Sequence, residues 1–317
     1  MAGTGTETAL PEQSDYKYTD TSGCPKPINA KIAGVTSGWL LLVIPGLIWG
    51  ASFLFIAQGL RALEPNAITF LRIAIGFLTL SCFPAARKPV AKADWPSVAW
   101  LGLLWFAFPL SMFPFAEQRV SSALTGMLNG ANPLFATLVA SLIARKAPSP
   151  GVAVGLAIGI GGTVLMGWPA LNEGRSSTEG VLMIMAAMIS YGVALSIARS
   201  LQQKYGAMPV IWRAQAVGLL LTAPLGIPAL ETIKWMPVPL ASVLALGMFG
   251  TAIANVAMAS AAGRFGAAKA SGTTFLIPVV SLILGVAILD EKVVPLSLVG
   301  GAVCLTGAWL MKRASSH

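Results

Sequence analysis

Histidine is nearly missing from this 317-residue chain: the only one, His317, is the last residue. That excludes histidine catalysis and histidine proton relays. Cysteine is almost as scarce. Cys24 lies in a polar tail, and Cys82 and Cys304 lie in apolar runs, with neither a disulfide framework nor metal-ligand spacing. Charge is the third shortage. Asp, Glu, Lys and Arg make up 10% of the residues against 56% hydrophobic, whereas soluble domains carry about a quarter charged. So few charges cannot cover a water-soluble protein of this length, and its solvent must be largely lipid. The net charge of +9 is dispersed between apolar segments, as the positive-inside rule expects, and does not form a nucleic-acid patch. No nucleophile–base set, metal cluster or pair of carboxylates lies at depth, so an enzyme is not expected and no cofactor is implied.

What is present is a series of long apolar runs. A polar, Thr/Ser/Gly/Pro-rich stretch over 1–37 is expected to be a disordered cytoplasmic tail, and it lacks the basic start and apolar core of a cleavable signal peptide. Ten segments follow, at about 39–60, 67–86, 97–117, 120–144, 150–168, 179–199, 208–228, 238–262, 267–289 and 294–312. Each is about as long as a helix needs to cross a 30 Å hydrocarbon core. Lipid offers backbone groups no partner, so helices are expected. With the N-terminus inside, 14 of the 21 Lys and Arg fall on the inner side and five on the outer, with Arg72 and Arg213 within helices. That bias predicts both termini in the cytoplasm; a bacterial inner (plasma) membrane is the expected location.

Residues 102–166 lie over 247–311 at a constant offset of 145 without a gap, matching Gly102 to Gly247, Arg119 to Arg264, Pro133 to Pro278 and Gly162 to Gly307. Earlier, Trp49-Gly50 answers Tyr191-Gly192, and Arg72 answers Arg213. Two copies of five helices, at 38–170 and 178–313, must enter the membrane from opposite sides because five is odd. The expected fold is therefore all-α and integral to the membrane, with ten transmembrane helices in two inverted five-helix repeats. Secondary transporters are commonly built this way, with the binding site near the midplane where the repeats meet.

The chain resembles the EamA-type transporters of the drug/metabolite transporter superfamily. The resemblance rests on Leu47-Ile-Trp-Gly50, Arg72, Ser122-Ala-Leu-Thr-Gly126 and Asn132-Pro133 in the first copy. In the second copy it rests on Gly266-Ala-Ala-Lys-Ala-Ser271, Leu276-Ile-Pro-Val-Val280, Leu289-Asp-Glu291 and Gly300-Gly301. It implies a carrier, often an exporter, for small organic metabolites such as amino acids or their relatives. Uptake or exchange is the alternative direction, and a membrane scaffold or receptor the non-transport alternative. The family commonly has a Glu between the fourth and fifth helices of each copy. Glu291 fills that place in the second copy, and Lys146 stands there in the first.

Polar side chains at mid-membrane depth are the candidates for a substrate site. They are Trp49, Ser52, Asn129, Asn132, Tyr191, Asn255 and Thr274; the hydroxyl and amide groups among them could equally join helices by hydrogen bonds, and the two aromatic rings could simply pack in the core. Pro133 and Pro278 each remove a helix hydrogen bond at equivalent places and are candidate hinges. Arg72 and Arg213, a few residues inside their helices, are expected to snorkel to water or form structural pairs; binding a substrate carboxylate is the sharper alternative. No Asp or Glu occupies the central third of any segment, which predicts uniport, exchange, or coupling through an end-placed group such as Glu117. The glycines at 155, 162, 300 and 307 allow close helix approach, as an internal scaffold or as the seam of a homodimer. A small-molecule substrate and the lipid bilayer are the other expected partners.

Overall fold

Long apolar runs leave the backbone no hydrogen-bond partner but itself, and the computed structural model answers with helices throughout. It describes residues 39–172, 174–265 and 270–315, and contains no strand among them. The 1–37 tail, His317 and residues 266–269 of the Gly266–Ser271 motif lie outside the described residues.

In chain order the helices are α1 (Trp39–Gly59), α2 (Pro65–Ser81), α3 (Lys92–Glu117), α4 (Ser122–Asn129), α5 (Asn132–Ala144), α6 (Pro150–Asn172), α7 (Arg175–Tyr205) and α8 (Ala207–Gly226). Next comes α9, built of Pro237–Ala245, Leu246–Ile253 and Ala254–Phe265, then α10 (Ser271–Leu289) and α11 (Pro295–Ala314). Eight helices among the described residues are long and apolar enough to cross a membrane. The fourth expected segment is broken: α4 and α5 meet at 42°, with Gly130 and Ala131 between them and Pro133 in the first turn of α5. Together they would make a ninth span. The second expected segment is a 17-residue helix, shorter than the run over 67–86 suggested, because Pro84 opens a separate 3-10 turn. Only 28–50% of the most apolar window of each candidate span is buried within the protein. The outward side chains are large and apolar, Leu142, Leu220 and Ile283 among them, which identifies an integral membrane protein.

Two of the helices are locally wound to the wider π pitch, α3 over Gly102–Ala107 and α9 over Leu246–Ile253. These stretches coincide at the sequence offset of 145. A π turn shifts the hydrogen-bond register and such turns collect at functional sites, so their recurrence at matched positions singles out a region of the bundle.

The tightest helix pair is α6 with α11. A Cβ on Gly162 would stand 2.8 Å from both the Cα of Cys304 and the carbonyl of Gly300, and one on Gly300 would stand 2.6 Å from the Cα of Met166. The seam that glycine spacing predicted is therefore internal to the chain. Backbones in contact let Ser297 Oγ donate across it to the Met166 carbonyl at 2.8 Å. Cys304 is buried in this seam, 3.4 Å from Thr163 Oγ1.

The loops gather at two ends of the bundle. At one, the Arg119 guanidinium meets Glu179 at 3.5 Å, and the carboxylate of Glu291 reaches the start of α4. At the other, Lys204 Nζ lies 2.7 Å from Asp94 Oδ2, and the Tyr205 hydroxyl also donates to that carboxylate. The first is the Glu291 end of the bundle and the second the Tyr205 end.

Candidate functional site

A cavity of about 470 Å³ lies in the middle of the bundle. Its wall draws on α1, α2, α3, α4, α5, α7, α8, α9 and α10. Every residue the sequence put forward as substrate-facing lines it: Trp49, Ser52, Asn129, Asn132, Tyr191, Asn255 and Thr274. Pro133 and Arg72 line it as well. Pro278 does not; it is buried in the first turn of the α-helical part of α10, with its ring 2.9 Å from where a Cβ on Gly130 would be. Arg213 and Glu117 are also elsewhere.

The two π stretches provide the polar framework. In α9, the displaced register leaves the Gly250 carbonyl to accept the Trp49 indole N–H at 3.0 Å. Thr251 is the hub. Its hydroxyl donates to Leu246 O at 3.2 Å and accepts from Arg72 Nε at 3.3 Å. Its carbonyl accepts from Gln215 Nε2 at 2.8 Å and Asn255 Nδ2 at 2.9 Å. In α3 the Leu104 carbonyl accepts from Ser190 Oγ at 2.8 Å, and Trp105 and Phe106 face the cavity. Thr251 and Gln215 are not among the candidates the sequence offers, and Trp105 is a further ring on the wall. A Gln two residues from an in-membrane Arg was a usable signal for one; nothing in the chain announces a π turn.

Of the two roles expected of it, snorkelling or a structural pair, Arg72 takes the pair, with Thr251. It is 5% exposed, and among the described residues it is the sole cationic side chain on the cavity wall, with no acidic one beside it. Arg213, 9% exposed, donates instead to the carbonyls of Pro209 at 3.1 Å and Ala86 at 3.4 Å and lies 5.3 Å over the Trp212 ring. The two equivalent arginines thus differ: one faces the cavity and the other ties α8 to the turn after α2.

Several polar groups on the wall are already engaged locally. Ser52 donates to Ile48 O at 2.9 Å and Thr274 to Ser271 O at 2.7 Å. The Asn132 Oδ1 is buried and has no partner among the described residues. An unmet acceptor facing a cavity is an anchor for a ligand donor, since leaving it dry costs free energy. Aromatic rings cover the cavity toward the Glu291 end: Phe53 packs edge-on to Phe113 with centroids 5.6 Å apart, and Phe113 lies 6.2 Å from Tyr191. In the other direction the lining continues through Gln202, Ala207 and Ser271, close to the Tyr205 end.

Replacing Trp49 with Phe tests this framework. It strands the Gly250 carbonyl, and we expect a loss of about 1–2 kcal/mol of stability, read as a lowered melting temperature in detergent. An unchanged midpoint would mean that water replaces the indole without cost.

A second cavity of about 360 Å³ lies at the Glu291 end, lined by Glu117, Gln118, Arg119, Ser121, Lys292 and Ser297 among others. Beside it, Glu291 accepts from the backbone N–H groups of Ser122 at 2.9 Å and Ala123 at 2.8 Å. A carboxylate on two free amides at a helix start is a strong, charge-assisted contact. The turn that delivers it depends on Asp290, whose φ of 54° ends α10. Gly285 leaves the room, as a Cβ there would stand 2.5 Å from Glu291 Oε2. Arg145 holds the matching conformation, φ 50°, at the end of α5. Lys146, which follows it, is exposed.

Among the described residues no cluster of His, Cys, Asp or Glu could hold a metal ion.

Comparison with known proteins gives a consistent picture. The model of the EamA-like transporter family matches twice, over residues 36–168 and 178–313. An uncharacterized transporter of Archaeoglobus fulgidus is 23% identical over 275 residues, covering 87% of this chain and 98% of its own. A protein of Streptantibioticus cattleyicolor named as a probable terminal-alkyne amino-acid exporter is 25% identical over 277 residues, 86% of this chain and 92% of its own. The uncharacterized transporter YdfC of Bacillus subtilis is 27% identical over 267 residues, 82% and 86% of the two chains. A solved crystal structure, 19% identical, is similar with a TM-score of 0.62 across 88% of this chain and 99% of that one; at that identity the likeness concerns the fold alone.

Proposed function

The chain belongs to the EamA-like transporter family, and on that premise we propose that it exports a small organic metabolite, amino-acid-like or aromatic, across the bacterial inner membrane by alternating access. The observation that carries this reading is the central cavity. It is large enough for a metabolite and walled by aromatic rings and amides, with Arg72 the one cation among the described residues of a mostly apolar lining. Such a wall suits a compact molecule with an apolar or aromatic body and a carboxylate. Trp49, Ser52, Asn129, Asn132, Tyr191, Asn255 and Thr274 are the proposed substrate contacts, and Arg72 the carboxylate contact.

The repeats at 38–170 and 178–313 are read as inverted five-helix halves of a ten-span bundle, with both termini cytoplasmic. The doubled family match supports the duplication, and the Lys/Arg bias supports the orientation. In that frame the Tyr205 end faces the cytoplasm and the Glu291 end the outside, so the cavity is open inward and closed outward. The bend at Gly130–Ala131 beside Pro133, and the 3-10 to α transition before Pro278, are the places where the halves would flex.

A thermal-shift screen of amino acids, aromatic acids and terminal-alkyne amino acids on the purified protein tests the reading, since a ligand of the folded state raises its melting temperature. Counterflow of the hit in proteoliposomes follows. A ligand that stabilises the protein but never crosses the membrane would favour a receptor. Asn132→Ala should weaken the hit by up to about tenfold, the worth of one neutral hydrogen bond; unchanged affinity would remove that residue from the site.

A further inference from the structure

Glu117 ends α3, and both its carboxylate oxygens are buried without a hydrogen-bond partner among the described residues. Buried carboxylates are otherwise paired or neutralised. Glu117 lines the second cavity, which is separate from the central one and lies at the Glu291 end. Arg72 of the central cavity and Glu291, the carboxylate that holds α4, are both within its electrostatic reach. Among the described residues the other charged groups at this end include Arg119, held by Glu179, and Lys292 on the cavity wall, with Asp290 beside Glu291; Tyr191 on α7 acts on Arg72. The described parts of α1, α4 and α6 bring none.

We propose that Glu117 is a proton-binding site that sets the outer gate, the gate being the grip of Glu291 on the amides of Ser122 and Ala123. With a proton on Glu117, no charge from that side chain opposes Glu291, which stays on the helix start, where the positive end of α4 favours it. With Glu117 ionised, its carboxylate and that of Glu291 repel each other, while Arg72 draws Glu117 inward. The Glu291 contact is then weakened and the outer face opens. The proton enters Glu117 from the outside water through the second cavity. A proton-loaded carrier closes outward and turns to the cytoplasm, which is the step an exporter driven by inward proton movement requires. This assignment rests on the transporter reading and its orientation; the gate itself can be read without a substrate.

The test uses the full-length purified protein with Val293, which lines the second cavity, changed to Cys, and with Cys24 and Cys82 changed to Ser. Maleimide labelling is followed from about pH 5 to about pH 8, each rate normalised to the denatured protein at the same pH. Opening from a minor to a major state should raise the normalised rate about tenfold or more as pH rises. Glu117→Gln should hold it low throughout, and Glu117→Asp should keep the rise. Glu291→Gln should label fast at every pH. A rise that survives intact in Glu117→Gln, or in Glu291→Gln should the former not purify as a monodisperse protein, overturns the proposal. So does a fall in labelling produced by sodium at constant high pH, which would make the ligand a metal cation. Failure here leaves the transport reading standing, and a missing transported metabolite leaves the gate standing.

Discussion

Gly162→Val is expected to unfold the protein or cost it about 3 kcal/mol or more, the upper range for overpacking a close-packed interior. The added carbon atoms would meet the Cys304 backbone and the Gly300 carbonyl. Backbone cannot rotate aside as a flexible side chain can, so α6 and α11 would have to separate along the seam. That would also break the Ser297–Met166 hydrogen bond. The measurement is the melting temperature of detergent-solubilised protein, followed by size-exclusion chromatography. Gly161→Val is the matched control, because a Cβ at 161 meets nothing within 4 Å. Equal losses at the two positions would show that helix propensity, not the seam, is being read.

Arg72→Gln is expected to reduce the affinity for a carboxylate ligand about 10- to 150-fold, the worth of a hydrogen bond to a charged group. Arg72 is the sole cation on the cavity wall among the described residues, and Gln preserves some of the length and a donor toward Thr251. The informative comparison is a ligand against its own carboxamide. Wild type should prefer the acid, and the variant should bind the two alike. A variant that keeps the preference would place the carboxylate elsewhere in the cavity and return Arg72 to a structural role on α9. Arg213→Gln should leave the preference untouched, because that side chain is tied to Pro209 and Ala86.

The legible part of the site was its list of polar residues. Trp49, Asn129, Asn132, Tyr191, Asn255 and Thr274 could be chosen because an amide, hydroxyl or indole at mid-depth of an apolar run is exceptional, and all of them border one cavity. Their present partners were not legible. The Trp49 indole is bound to Gly250 and the Asn255 amide to Thr251 because α9 is locally π-wound, and such winding leaves no compositional mark. The two arginines show the same limit. They stand at matching places in the repeat, yet Arg72 meets Thr251 while Arg213 meets carbonyls beside Trp212. Glu291 is legible as a motif residue, part of Leu289-Asp-Glu291, with Lys146 at the equivalent place in the first copy, but its role is not. Its contact with Ser122 and Ala123 joins residues 169 and 168 positions apart, and no local pattern predicts such a meeting.

By itself the sequence determined that this protein lives in lipid, that it is helical, that its latter parts are duplicated and which side chains are out of place in an apolar run. Those are consequences of hydropathy, length and spacing, which act along the chain. Only the tertiary structure decided which helices touch backbone to backbone, which arginine faces the cavity and which carboxylate is held while the other is left bare. Those outcomes depend on close contacts between distant segments, where a hydrogen bond forms or fails within a few tenths of an ångström, and pairing at that precision is a property of the assembled bundle.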